Sequence, residues 1–299
     1  MRGRLQAASL DLRSWRAEDV DLQTERRQRL YRLSAVVLKR RELGEADRLL
    51  TVFSPDRGKL TLLAKGVRKP ASRKAGHIEP FTYTSFLVAR GRSMDLVTQA
   101  ETIAPHRRLR EDLWRSAWAY YACELADAFT QDGDPNAPLF DLLLETLGRL
   151  DGGADPAPAV RFYELHVLGL VGYQPQLFRC VRCDSVLQPE VNYLSLELGG
   201  CLCPKHGTAH PESVALQLTT LKVLRYLQTR DWAQVAGIHL SPGTARQVEA
   251  VLGSTIVYHL ERSLRSPAYI ERLRLALAGA AEAGGAPFTG QEAEPDADP

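Results

Sequence analysis

The sequence predicts a multidomain α and β protein. An N-terminal β-barrel is followed by an α-helical domain, and a cysteine-rich knuckle is inserted within the helical part. Three observations predict it. Short β-type runs separated by turn residues fill residues 30–105, apolar residues recur at three- and four-residue steps from Glu111 onward, and four of five cysteines crowd into one stretch.

The barrel is read first. Leu33-Ser34-Ala35-Val36-Val37-Leu38 is strand-like, and Thr51-Val52-Phe53 leads through the turn Ser54-Pro55-Asp56-Arg57-Gly58 into Lys59-Leu60-Thr61-Leu62-Leu63-Ala64. Phe81 to Val88 alternates aromatic and β-branched residues, and Met94 to Thr98 closes the set. About five short strands punctuated by Gly and Pro fit a small closed barrel of the oligonucleotide-binding (OB) type.

The helices follow. Leu113, Trp114, Ala117, Trp118, Tyr121, Leu125 and Phe129 mark the first amphipathic face. Leu139 to Leu150, Val160 to Leu170, Val214 to Gln228 and Ala245 to Leu264 give further helices. The expected organisation is an N-terminal extension at 1–29, read as mobile, and a barrel at 30–105. A helical domain follows at 106–176 and 211–280, with the knuckle insertion at 177–210 and an acidic tail at 281–299, read as disordered.

Composition bounds the class. Of 299 residues, 44% are hydrophobic and 25% charged, which is ordinary for a soluble globular chain. No apolar run approaches the roughly 20 residues that cross a bilayer. The opening residues lack the apolar core of a secretory signal, so a cytoplasmic protein is expected, without a membrane partner. The net charge of +2 conceals segregation: 17 Lys or Arg stand against seven Asp or Glu between Tyr31 and Arg110. The tail beyond Ala281 carries Glu282, Glu292, Glu294, Asp296 and Asp298 and no basic residue. A cationic barrel implies a polyanionic partner.

Clustered cysteines in a cytoplasmic chain point to metal before disulfides. Cys180-x-x-Cys183 sets two thiolates on one side of an ion, and Cys203-x-x-His206 repeats that spacing. Cys201 lies two residues before Cys203 and falls outside the repeated C-x-x-C and C-x-x-H spacing. Cys180, Cys183, Cys203 and His206 are the expected ligands of one zinc ion, with Cys201 the alternative to His206 as fourth. Four protein ligands leave no open position, which makes the zinc structural.

The cations of the barrel are candidates for DNA contact: Lys39 and Arg41 end the first strand, Arg57 and Lys59 flank the tight turn, and Lys65, Arg68, Lys69, Arg73 and Lys74 follow. No acidic residue interrupts Arg57 to Lys74. Single-strand binders join such a groove to aromatic faces, for which Phe53, Tyr83 and Phe86 are available, although Phe53 and Phe86 suit the barrel core better. Walker-type, H-E-x-x-H and G-x-S-x-G motifs are absent from the sequence. His166 sits alone in a helical run and is read as packing or surface. The expectation is a binding protein and not an enzyme, with no catalytic residue. A zinc-containing regulator of duplex DNA and a metal-dependent nuclease are the alternatives.

Several strings then resemble the RecO family over Tyr31 to Leu273. They are Gly44-Glu45-Ala46-Asp47-Arg48-Leu49-Leu50, Ala64-Lys65-Gly66-Val67-Arg68-Lys69, Arg161-Phe162-Tyr163-Glu164-Leu165, Gly172-Tyr173-Gln174-Pro175-Gln176-Leu177 and Tyr258-His259-Leu260-Glu261-Arg262. The resemblance implies a DNA-repair recombination mediator that binds single- and double-stranded DNA and anneals complementary strands. It implies RecR as partner, together with single-stranded-DNA-binding protein, whose acidic tail docks on the helical domain. RecA would be loaded as a consequence, in the cytoplasm at the nucleoid. DNA contact would fall on Lys39, Arg41, Lys59, Lys65, Arg68 and Lys69. His206 stands where the family usually has cysteine, and Cys201 is additional.

Overall fold

The structure, a computed structural model, describes residues 29–282, with side chains to residue 279. The extension expected at 1–29 and the tail expected at 281–299 lie, apart from residues 29, 281 and 282, outside the described residues.

Strands β1 (Leu30–Leu43), β2 (Asp47–Ser54), β3 (Gly58–Ala64), β4 (Tyr83–Ala89) and β5 (Asp95–Ala104) close a barrel in the order β1-β2-β3-β5-β4. Every pairing is antiparallel except the β3–β5 closure. Strand β1 runs far beyond its apolar core because it serves two neighbours. Leu30 to Val36 pairs with β4, and Val36 to Leu43 pairs with β2.

The alternation along β1 feeds two cores. Leu33, Ala35 and Val37 point inward with Leu50, Val52, Leu62, Phe86, Val88 and Val97, and Val67 and Ile78 of the β3–β4 connection cover this interior. Val36 and Leu38 point outward, and with Phe53 and Phe81 they join the core of the helices. Phe81, expected in a strand, instead precedes β4 with φ at 70°. Its amide donates to the Val37 carbonyl, its carbonyl meets His106 Nδ1 at 2.8 Å, and its ring packs edge-on to Tyr120.

Helices α1 (Arg108–Glu111), α2 (Leu113–Phe129), α3 (Ala137–Asp151) and α4 (Pro156–Leu170) follow the barrel. Asp112, Asn136 and Asp155 cap the last three by accepting from backbone amides. Phe140 of α3 takes the rings of Phe53 and Tyr83 edge-on at 5.9 and 5.6 Å. The insertion forms a small sheet of β6 (Asn192–Ser195), β7 (Gly200–Leu202) and β8 (Val214–Leu216), with the one-turn α5 (Pro204–Gly207) between the last two. Val214 to Leu216, expected to begin a helix, pairs with β6 instead, and α6 (Leu218–Thr229) starts only after Gln217. Helices α7 (Trp232–Val235), α8 (Pro242–Leu260) and α9 (Ser266–Glu282) complete the described chain. The left-handed Glu261 (φ 53°) ends α8 four residues short of its expected limit at Leu264. No described helix is long and apolar enough to cross a membrane.

Polar contacts also tie barrel to helices. Asp127 of α2 accepts from Lys39 Nζ at 2.6 Å and lies 3.3 Å from Lys59 Nζ. The same Lys59 ammonium donates to the Asp127 and Thr130 carbonyls, both at 2.8 Å. Gly58 beside it has φ 64°, and a β-carbon there would meet the Asp134 carbonyl oxygen at 2.1 Å, so only glycine lets the chains approach.

The Arg161-to-Leu165 run is structural. Glu164 is fully buried, accepts from Tyr121 Oη and lies 3.2 Å from Arg161 Nε. Burial pushes its carboxyl up from 4.5 to about 7, against the opposing pull of Arg161 and Tyr121. The folded chain therefore holds this proton more tightly than the unfolded chain, so stability falls as pH rises from about 4.5 through 7. Urea unfolding across that window should show this decline in the native chain and a shallower one in a Glu164→Gln chain.

Candidate metal centre and basic end of the barrel

The insertion assembles a thiol–imidazole cluster. The ligand atoms of Cys180, Cys183, Cys203 and His206 all lie within 4.8 Å of one another. His206 Nδ1 is 3.6 Å from Cys180 Sγ and 3.2 Å from Cys203 Sγ. Bonds of about 2.3 Å to sulfur in a tetrahedron would place sulfurs about 3.8 Å apart, so the group needs little adjustment to close on an ion.

Local backbone geometry fixes each half. Asp184 returns its amide to the Cys180 carbonyl at 2.8 Å and adopts φ 58°, folding Cys180 to Cys183 into a turn. Cys203 caps α5, and the amides of His206 and Gly207 both donate to its carbonyl. A β-carbon on Gly207 would meet the Tyr193 ring at 2.2 Å, so glycine lets the second turn sit against β6. The halves are stitched together by Val181 N to Cys201 O at 2.9 Å and Cys201 N to Gln176 O at 2.7 Å.

Electrostatics separates the thiols. Burial opposes ionisation of Cys180, but the amides of Cys203, Arg182 and Cys183 outweigh it and bring the thiol down to about 7. The hydroxyl and amide of Ser185 lower Cys183. Burial raises Cys203, with the neighbouring thiols adding to it against the His206 amide. Cys201 lies in β7 with its side chain in the shared core, and burial pushes its thiol up to about 12. It is not part of the cluster, and His206 is. Cys123 is buried in α2 away from both.

The barrel cations fall into three groups. Lys39 and Lys59 are held by Asp127, and the Lys59 side chain is only 14% exposed. Lys74 donates to the Lys65 and Val97 carbonyls and anchors its loop. All three make contacts within the chain, and of the first two the Lys39 side chain stays 59% exposed. Arg57, at the β2–β3 turn, lies 4.5 Å above the Tyr31 ring, with Arg90 at 5.8 Å on the same ring. The remaining five, Arg41, Lys65, Arg68, Lys69 and Arg73, are exposed at the other end of the barrel. Strand pairing brings them together there, since Arg41 pairs with Leu49, and Arg48 with both Glu42 and Ala64. Gly66 N to Asp47 Oδ1 and Arg68 N to Ala46 O moor the loop to the β1–β2 turn. Arg68 pairs with Glu42 at 3.2 Å, and the other four have no carboxylate partner among the described residues.

The aromatic candidates are not free faces. Phe86 is buried in the barrel, Phe53 in the shared core, and Tyr83 is half-buried against Phe140. His166 packs on Phe162 at 3.9 Å with its ring nitrogen on the Phe162 carbonyl. Sequence reading missed Asp127 altogether. It lies 88 residues from Lys39 and 68 from Lys59, and no local spacing signals such a contact.

An OB-like barrel followed by a helical domain with an inserted Cys3His knuckle defines a class of protein, and two family models cover most of the chain. "Recombination protein O N terminal" matches residues 28–106 and "Recombination protein O C terminal" matches residues 110–268. A DNA repair protein RecO of Roseiflexus sp. (strain RS-1) is 40% identical over 248 residues, covering 83% of this chain and 87% of that protein. One from Pelotomaculum thermopropionicum is 38% identical over 255 residues, covering 85% and 99%. One from Dehalococcoides mccartyi strain BAV1 is 34% identical over 246 residues, covering 82% and 97%. The chain belongs to the RecO family of DNA repair proteins.

Elemental analysis of purified chain should find about the native metal content in a Cys201→Ala variant and a marked loss in His206→Ala. The reverse result would exchange the two residues' roles.

Proposed function

We propose that this protein is a recombination mediator that holds single- and double-stranded DNA by its phosphates and anneals complementary strands. The observation that carries the reading is the cluster of exposed cations Arg41, Lys65, Arg68, Lys69 and Arg73 at one end of the barrel. Cationic side chains there offset repulsion between two phosphate backbones, and base pairing then supplies the net driving force. The lack of an open aromatic face among Phe53, Tyr83 and Phe86 suits annealing. A strand gripped by its backbone, with its bases unstacked, keeps its pairing edges available.

Family membership supports the partner set. RecR and single-stranded-DNA-binding protein act with the chain, and RecA is loaded on strands that the latter had coated. The Cys180, Cys183, Cys203 and His206 cluster holds one zinc ion, because three sulfurs and an imidazole are the donors zinc prefers. With every position filled by protein, the ion orders the insertion, contributing on the order of 10 kcal/mol, and performs no chemistry.

Replacing Lys65 and Arg68 together by Glu should weaken single-strand affinity about tenfold or more at 0.1 M salt. It should also flatten the log–log salt dependence by about 0.7 for each phosphate that is no longer neutralised. Lys59→Met, by contrast, should lower stability more than it lowers affinity. Annealing of complementary oligonucleotides without nucleotide, measured with and without the coating protein, tests the function. Unchanged affinity in the double variant, or no annealing by the native chain, would overturn the reading.

A further inference from the structure

A slot of about 140 Å³ opens beside the last turns of α4 and the connection that follows it. Leu165, Gly169 and Leu170 give it apolar walls, and Gln174 and Gln228 bring carboxamides to it. His166 completes the lining. With Leu170 and Gln228, it is shared by an adjoining cleft of about 690 Å³ that reaches toward α3 and α7. Drug-sized ligands fill about 300–1,000 Å³, so the slot alone admits a single small ring system.

The polar groups of the slot have defined roles. His166 Nδ1 lies 2.8 Å from the Phe162 carbonyl, which can only accept, so this nitrogen carries the proton. Burial lowers the pKa of the ring, aided by the Arg149 charge and opposed by that carbonyl, and the neutral ring leaves Nε2 an acceptor. Phe162 stacks on the ring at 3.9 Å and fixes its orientation. Gln228 gives one amide proton to the Pro175 carbonyl at 2.9 Å, which holds its carboxamide oxygen in place. The Gln174 carboxamide lies over α4, its carbon 3.7 Å from where a β-carbon on Gly169 would stand.

Acceptors at His166 and Gln228, with a further carboxamide at Gln174, suit a base that carries an exocyclic amino group beside a ring nitrogen. Glutamine makes this paired contact with N6 and N7 of adenine. The adjoining cleft bears on the rest of a nucleotide. Its Arg230 is exposed and has no carboxylate partner among the described residues. Arg149 is held by Glu145 and lies over the Phe162 and Trp232 rings. Asp141, Glu145 and Asp231 line the same cleft, all exposed. One free cation beside three carboxylates tolerates a single phosphate and repels a chain of three.

We infer that this slot binds the adenine of a nucleotide, with Gln174, Gln228 and His166 on the base and Arg230 on one phosphate. The ligand is an adenosine monophosphate unit, either free in solution or carried by a strand. The inference does not depend on the DNA-binding role of the barrel.

Equilibrium dialysis of labelled adenosine monophosphate against the full-length chain tests it. The native chain should bind this nucleotide saturably, and guanosine or cytidine monophosphate about tenfold more weakly. Adenosine triphosphate should also bind more weakly than the monophosphate. Gln174→Leu and His166→Phe, which remove the polar atoms but keep the bulk, should each weaken binding about tenfold. Gln174 is exposed, so its replacement still tests the site where the histidine variant does not fold. Competition by an adenine oligonucleotide, lost in Gln174→Leu, would assign the base to a strand, and lack of competition would assign it to the free nucleotide. Either result keeps the site. No saturable binding below about 10 mM would overturn the inference. So would equal affinity for all three monophosphates, or tightest binding of the triphosphate. Binding that ignores both substitutions but falls with Lys65→Glu and Arg68→Glu would also overturn it, by placing the nucleotide on the barrel cations.

Discussion

The structure depends on β1 being buried on both faces. Along Ala35 to Leu38, alternate side chains enter the barrel interior and the helical core, so one strand belongs to two hydrophobic units at once. A free-standing barrel would present its outer face to water, and here much of that face is apolar and covered by α2 and α3. Phe53 and Phe81 extend the shared surface, with Phe140 and Tyr120 as their counterparts. Each fully buried aromatic of this kind contributes about 1.5–3 kcal/mol, so separating the two halves would expose several such increments.

That constraint also sorts the charges. Cations near the covered face, Lys39 and Lys59, find a carboxylate on α2 and become part of the joint. At the β1–β2 end Arg68 pairs with Glu42, whereas Arg41, Lys65, Lys69 and Arg73 are exposed without a carboxylate partner among the described residues. Which of these similar lysines gains a partner on α2 is thus a product of packing. The cysteines separate for a local reason: β7 ends at Leu202, so Cys201 keeps its place in the core while Cys203, at the start of α5, turns toward the knuckle.

Much of this was legible from the chain. Period-two alternation from Phe81 to Val88 marks a strand, the three- and four-residue steps after Glu111 mark helices, and the doubled knuckle spacing picks out four clustered side chains. What was not legible shares a physical origin. Val214 to Leu216 continues smoothly into a helical pattern, and it becomes a strand only because β6 offers an edge to pair with. Phe81 has the composition of a strand residue, yet its ring is drawn outward by the helices. Lys59 and Lys65 look alike in a basic run, and only the fold brings Asp127 to one of them. Each miss involves residues that are distant in sequence and adjacent in space.

Glu124 carries a consequence of another kind. Its two carboxylate oxygens cap the start of α9 from a different helix, 141 residues earlier in the chain. The origin of α9 is therefore set by α2 and not by the length of the connection that precedes it. Residues could be added to or lost from the Glu261-to-Leu264 loop over evolutionary time, with the change absorbed as slack, and the helix would still begin at the same point in space.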